Sequence, residues 1–497
     1  MRATRRRHTD GMYSTRSRAA AVLLLCLGGC AVGPDYRQPP AALPTAWSAD
    51  QLPAAVSAAT PAHAPAPAPD PQWWRRFGDP LLDELIDSAL AANTDVRSAR
   101  ARLRAARAAS AQADGALWPT VGAYASATRS SDGGRSAVSS YGVGFDAGWE
   151  IDLFGGLRRG AEAASADAET SAATLAQTQI SLAAEVARNY VLLRGYQLRL
   201  QITEANLDNQ TQTLQIVEWR AQAGLVGSLD VEQARANREQ TRAQAPVLQD
   251  AVAQTRHALA VLLNRPPEAL AAQLAAPAPP AAPAIPDAAA QPLLGVPADL
   301  LRRRPDIVAA ERSLAAATAR IGVAEAARYP SLNLAGTLGL QGAALSALSG
   351  SGASTRLIAG SLAAPIFDAG RLRQQVVIQT AQQEQALAAY EAALTGALRE
   401  VEDARAALAN GRVRADALAQ AVQAARNAAL LAGFRYRSGL VDFQTVLDTE
   451  RSVRTLEDSQ ASTQADLTVA MIQLYKALGG GWSAASLAAA APDSWTP

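Results

Sequence analysis

Cysteine is nearly missing from this chain of 497 residues: Cys26 and Cys30 are the whole supply, and both lie near the N-terminus. A disulfide framework, a cysteine zinc cluster and a cysteine nucleophile are therefore excluded from the rest of the chain. Histidine is almost as scarce, with His8 in a basic leader, His63 in a proline-rich tract and His257 alone in a helical stretch. Carboxylate pairs such as Glu400 and Glu402 fall at i and i+2, positions that point apart on a helix. A glycine-rich phosphate loop and a nucleophile constellation are also missing. These gaps predict a protein that is not an enzyme and holds no metal and no cofactor. A surplus of one charge is lacking too: the formal net charge is +1, which recommends neither nucleic acid nor an acidic polymer as partner.

What the N-terminus does contain is a basic stretch "RRRH", the apolar run "AAAVLLLCL" and small residues before a cysteine. The run is too short for a transmembrane helix, which needs ~20 apolar residues, and reads as an export signal over residues 1–29. The sequence "LGGC" ending at Cys30 resembles the lipobox of bacterial lipoproteins. The resemblance implies that Cys30 becomes the acylated first residue of the mature chain, a covalent lipid anchor, rather than a buried inert thiol. Ala31 stands where an aspartate would imply retention in the inner membrane, so the outer membrane is expected.

The strongest organisational signal is a duplication. "TDVRSARARLRAARAASAQADGALWPTVGAYAS" from Thr94 aligns without a gap with "PDIVAAERSLAAATARIGVAEAARYPSLNLAGT" from Pro305. Further on, Glu185 falls on Glu400 and Ala223 on Ser438. Solenoid units run ~20–50 residues, so this is a doubled half-molecule and not an array. The expected layout is a lipid-anchored extended segment over 30–80, a first repeat over 81–265, a Pro/Ala-rich linker over 266–298, a second repeat over 299–480 and a tail over 481–497.

Each repeat predicts a helix, two strands, a very long helix, a tight interruption and another helix. Pro119 and Pro330 convert helix to strand, because proline lacks an N–H and pushes its predecessor toward extended geometry. Proline is absent from Leu157 to Ala223 and from Leu372 to Ser438, where Ala, Gln, Leu, Arg and Glu favour helix. Val186, Leu193, Leu200, Leu207 and Leu214 step by seven, as do Val401, Leu408, Ala415, Val422, Ala429 and Tyr436. Such a period predicts coiled-coil packing of neighbouring helices.

Strands are expected at about 119–131, 139–152, 330–342 and 354–367. In "SYGVGFDAGWEID" from Ser140, Tyr141, Val143, Phe145, Ala147, Trp149 and Ile151 take one face, while Asp146, Glu150 and Asp152 take the other with three glycines. Leu332, Leu334, Leu338 and Leu340 likewise oppose Asn333 and Gln341. Segments of this length cross a bilayer when tilted, yet four strands cannot close a barrel in lipid, so several chains must share one. A half-buried sheet in a water-soluble protein is the competing interpretation.

Six further stretches are carried in order: "CAVGPDYRQP" at Cys30, "WWRRFGDPLLDELI" at Trp73, "LLRRRPDIVAAE" at Leu300, "IGVAEAARYPSLNLAG" at Ile321, "PIFDAGR" at Pro365 and "YRSGLVDFQTVLDTER" at Tyr436. With them the chain resembles the lipoprotein members of the TolC-like outer-membrane efflux factors. The resemblance implies a mostly α fold with a transmembrane β-barrel. It further implies a homotrimer whose twelve-stranded β-barrel continues into a periplasmic α-barrel of twelve helices. The partners implied are outer-membrane lipid, a periplasmic adaptor (membrane fusion) protein and an inner-membrane resistance-nodulation-division pump; the function implied is passive conduction of drugs or other small molecules to the exterior. It places Tyr436, Asp448 and Arg451 at a closable periplasmic aperture, where three symmetry-related copies of Asp448 would repel one another and attract cations. The barrel lumen would be lined by Asp146, Glu150, Asp152, Asn333 and Gln341. A solvated Asp448 paired with Arg451 at i+3 stands as the plainer alternative for that residue. For the whole chain the alternatives are a duct for type I protein secretion and a non-transporting coiled-coil lipoprotein.

Overall fold

The computed structural model describes residues 31–40, 71–131, 133, 137–277, 281, 284–286, 303–480 and 482. The expected signal at 1–29, the lipid attachment at Cys30 and nearly all of the tail over 481–497 lie outside the described residues, as do most of the two proline-rich tracts.

The order helix, two strands, very long helix and returning helix occurs twice. After a 3-10 turn at Trp73–Phe77, the first copy runs α1 Pro80–Ala92, α2 Thr94–Gly115, β1 Thr120–Ser130, β2 Val138–Ile151, α3 Gly156–Gln222, α4 Ser228–Arg242 and α5 Gln244–Leu262. The second runs α6 Pro305–Ala326, β3 Ser331–Gly342, β4 Ser354–Ala363, α7 Arg371–Arg437 and α8 Phe443–Ala477. Both long helices, α3 and α7, have 67 residues, or about 100 Å of helix at 1.5 Å per residue.

Two boundaries differ from the sequence expectation because of a proline. The returning helix of the first copy is broken at Ala243, because Pro246 has no N–H to donate to the Arg242 carbonyl; α8 has no proline and runs unbroken for 35 residues. β4 ends at Ala363 rather than near 367, just before Pro365. Asp152, expected on the polar face of the second strand, lies beyond the end of β2. It accepts hydrogen bonds there from the Arg158 backbone N–H (2.9 Å) and Nε (3.3 Å), so it helps restart helix as α3 instead of continuing the sheet.

The chain forms two compact units, and these do not coincide with the repeats. One comprises residues 1–40, 102–171 and 309–391; the other comprises 41–101, 172–308 and 392–497. The repeats are joined inside the first unit, because β2 of one copy pairs antiparallel with β3 of the other. The result is a four-stranded antiparallel sheet in the order β1-β2-β3-β4.

In the second unit, Trp73 stacks on Tyr475 with ring centroids 5.3 Å apart and meets Trp74 and Phe77 edge-on. Tyr190 donates to Asp79 at 2.6 Å while Asp79 caps α1 by accepting from Leu81 N and Leu82 N. Burial, reinforced by that bond, pushes the Tyr190 hydroxyl up to about 12. The motif "WWRRFGDP" thus supplies both an aromatic core and a helix cap. Among the described residues no helix is long and apolar enough to cross a membrane.

Candidate functional site

Strand alternation fixes the two faces of the sheet, and pairing brings like faces together. Glu150 lies opposite Asn333, Asp146 opposite Thr337 and Gly142 opposite Gln341, so Asp146, Glu150, Asn333 and Gln341 share one polar face. Gln341 also donates to Ser140 Oγ at 3.2 Å. On the opposite face, Val143 meets Leu340, Phe145 meets Leu338, Trp149 meets Leu334 and Ile151 meets Leu332. Ile358 and Leu362 of β4 continue that apolar face through their partners Gly336 and Leu332. It is open: Ile358 is 91% exposed, Leu362 68%, Leu338 63% and Phe145 59%. β1 and β4 each pair on one side only, which leaves two rows of backbone groups without a ladder partner among the described residues. Trp149 turns its indole N–H to the Leu117 carbonyl at 3.0 Å, fixing the ring where α2 gives way to β1.

The residues after position 30 form a strap on the same unit. Val32 N donates to the Phe154 carbonyl at 3.0 Å, and Arg159 of α3 donates to Asp35, holding that carboxyl below the usual range. Gly33 adopts φ +91°, and a Cβ there would come within 2.4 Å of the Gly322 Cα of α6. Tyr36 packs on Ala166, Ala315 and Ala316 and donates to Glu311 at 3.1 Å. Burial and the Glu311 carboxylate both raise its hydroxyl pKa. The sequence flagged "GPDYRQP" as a motif without showing what it touches; Arg159 carried no signal, since an arginine in an exposed-looking helix start resembles any other.

The hairpin that joins α7 to α8 lies in the second unit. Gly439 at φ +73° ends α7, and Leu440 N donates back to the Arg435 carbonyl at 2.9 Å. Asp442 then caps α8, accepting from Thr445 Oγ1 (2.6 Å) and Thr445 N (3.0 Å), which lowers its pKa. Of the three expected aperture residues, Asp448 and Arg451 are exposed, whereas Tyr436 is buried. Asp448 accepts from Gln444 at 3.0 Å, and no ion pair with Arg451 forms among the described residues. Tyr436 belongs to an apolar cluster with Leu214, Val217, Phe443, Val446 and Leu447. Arg220 of α3 lies over its ring at 4.5 Å and donates to its carbonyl at 3.0 Å. Burial raises the Tyr436 hydroxyl pKa, and Arg220 opposes that shift. The three residues therefore divide into one that packs the hairpin and two that face solvent. Among the described residues no group of three or more His, Cys, Asp or Glu is placed to hold a metal ion.

The comparisons agree on one family. The family model for outer membrane efflux proteins matches twice, over residues 85–265 and 296–480. The solvent efflux pump outer membrane protein SrpC of Pseudomonas putida is 34% identical over 473 residues, covering 93% of this chain and 97% of its own length. The solved outer-membrane channel OprN superposes with a TM-score of 0.82 at 38% identity, covering 91% of this chain and all of its own. The Neisseria gonorrhoeae outer membrane channel MtrE, solved in its open state, gives a TM-score of 0.79 at 30% identity over 91% of this chain and 98% of its own. The doubled element order, the two-faced sheet with its open edges and these matches lead to one conclusion: the chain belongs to the outer membrane efflux protein family and is an outer-membrane efflux channel.

Proposed function

We propose that three copies of this chain complete one twelve-stranded outer-membrane barrel that continues into a tunnel of twelve helices. Through it pass drugs or other small molecules, delivered by an inner-membrane resistance-nodulation-division pump and its periplasmic adaptor. The channel conducts passively, without catalysis or cofactor, and a covalent lipid on Cys30 anchors it. The observation that carries the proposal is the sheet. In hydrocarbon an unpaired strand edge costs several kcal/mol per backbone group, so a four-stranded sheet with two open edges and an exposed apolar face needs sister sheets on both sides. Asp146, Glu150, Asn333 and Gln341 then face the aqueous lumen, and the apolar face meets lipid. At the periplasmic end, Asp448 and Arg451 stand exposed on α8, free to meet their symmetry mates, while Tyr436 holds the hairpin from within.

Planar-bilayer recording of the purified full chain is the test. Few openings are expected from the unaltered protein, and Asp448→Ala, which removes a ring of negative charge from the axis, should raise the frequency or size of openings roughly severalfold. Silent bilayers for both proteins, together with a monomeric particle that needs no detergent, would sink the proposal.

A further inference from the structure

The helices of the second unit stack in layers seven residues apart, and two successive layers share a glutamate and a donor from α3 but differ in the residue that α7 supplies. In the first, Glu457 of α8 accepts from Arg426 of α7 at 2.7 Å and from Asn206 of α3 at 3.4 Å. One heptad nearer the hairpin the corresponding residues are Glu450, Gly433 and Thr213. Thr213 donates to Glu450 Oε1 at 3.2 Å, as Asn206 does to Glu457, but the position of the arginine holds a glycine. The duplication points the same way. By the alignment that sets Glu185 against Glu400, the first-copy counterparts of Glu450 and Gly433 are Arg235 and Glu218, which form an ion pair at 3.7 Å. Both comparisons put a charge opposite this position, and Gly433 supplies none.

What remains is a cavity of 430 Å³, within the size range of small-molecule sites. Gln210, Thr213, Gly433, Tyr436 and Glu450 line it, and a Cβ built on Gly433 meets nothing within 4 Å. Three buried side-chain oxygens there lack a hydrogen-bond partner among the described residues: Glu450 Oε2, Gln210 Oε1 and Tyr436 Oη. Gln210 and Tyr436 are 95% and 93% buried, being 5% and 7% exposed. Such orphaned groups are uncommon in native proteins; the carboxylate and amide oxygens are acceptors in want of a donor, and the phenol oxygen can accept one as well as donate. Arg437 of α7, the one cation among the described lining residues, donates to the Gly433 carbonyl at 3.3 Å, lies over the Phe434 ring at 4.7 Å and makes no ion pair with Glu450. The α3 residues of the lining are uncharged, Glu450 is the sole ionisable group from α8, and Arg220 and Asp230 act on Tyr436 rather than on Glu450.

We propose that this cavity is a binding site for a small organic cation with a guanidinium head, which takes opposite Glu450 the place that Arg426 takes opposite Glu457. A planar guanidinium offers the donors that the carboxylate, the amide oxygen and the phenol lack. Burial raises the Glu450 pKa and the hydrogen bond from Thr213 opposes that shift; a bound cation lowers it again by favouring the carboxylate over the protonated acid. Affinity therefore falls as pH drops through the raised value.

Calorimetric titration of the full chain in detergent, with n-propylguanidinium against the isosteric neutral n-propylurea, reads this directly. The guanidinium should bind saturably and about tenfold or more tightly than the urea, more weakly at acid pH, with proton release visible as a dependence on buffer ionisation heat. Glu450→Gln should abolish the preference, and Gly433→Arg should abolish binding by filling the cavity from within. Gly433→Ala, which the open space accommodates, should keep both the fold and the preference. Equal binding of the two probes, a preference that survives Glu450→Gln, or no saturable binding at all would overturn the proposal.

Discussion

Asn93 and Arg304 occupy equivalent positions in the two copies, immediately before α2 and α6, and they do one job with different chemistry. Each ties the start of its copy to the end of that copy's last helix: Asn93 donates to the Leu262 carbonyl at 2.9 Å, and Arg304 donates to the Ala477 carbonyl at 2.7 Å. Asn93 also turns its side-chain oxygen to the N–H groups of Asp95 (2.8 Å) and Val96 (3.3 Å), satisfying donors that a helix start leaves open. Arg304 cannot accept, so Asp306 takes that part, receiving the Ile307 N–H at 3.0 Å while Arg304 bridges Asp306 and Glu400 at 2.7 Å each. A neutral residue closes one copy, and a buried arginine paired with two more exposed carboxylates closes the other. The backbone requirement is common to both copies; the means of meeting it is not.

That contrast sets unequal stakes. Arg304→Ala should have the largest effect, about 3 kcal/mol of destabilisation, because it leaves a carbonyl and two carboxylates without their shared donor at a site where the arginine is 4% exposed. A fall in the thermal midpoint followed by far-UV circular dichroism measures it; a change no larger than that of Asn93→Ala would mean that the ion cluster adds nothing beyond its neutral counterpart. Asn93→Ala should cost about 2 kcal/mol in the same measurement, from one lost cap and one lost buried hydrogen bond. The smallest effect concerns the other unlike pair, the caps of the returning helices. Gly227 starts α4 with no side-chain hydrogen bond, whereas its counterpart Asp442 caps α8. Gly227→Asp should make the first hairpin resemble the second and raise the midpoint by about 1 °C, since glycine is already an acceptable cap. A loss of stability instead would show that the first hairpin needs the bare backbone.

Much of the fold was legible in the residues. The gapless alignment from Thr94 and Pro305 predicted two copies of one plan, and proline-free stretches predicted long helices that differ from α3 and α7 by a single residue at each end. Strict alternation in β2 and β3 predicted which side chains share a face. The break at Ala243 follows from Pro246, a proline that the matching stretch of the second copy lacks. The aperture residues were harder. Tyr436 stands in the heptad series, and its burial follows from that register, while Asp448 and Arg451 lie off the seam and stay in solvent. The strap contacts of Asp35 and Tyr36 with Arg159 and Glu311 were invisible, because residues more than a hundred positions apart with no shared period leave no trace in one sequence.

By itself, then, the sequence determined what is periodic or local: the duplication, the helix and strand segments, the polar and apolar faces, and the stops imposed by proline. Hydrophobic period and backbone sterics act over a few residues and need no partner to be written down. Only the tertiary structure decided which segments meet. It paired β2 with β3 across the two copies, put Asn93 and Arg304 to the same work, and left Glu450 facing a glycine where the neighbouring layer has an arginine. Those outcomes depend on distances between side chains far apart in the chain, and such distances exist only once the backbone has folded.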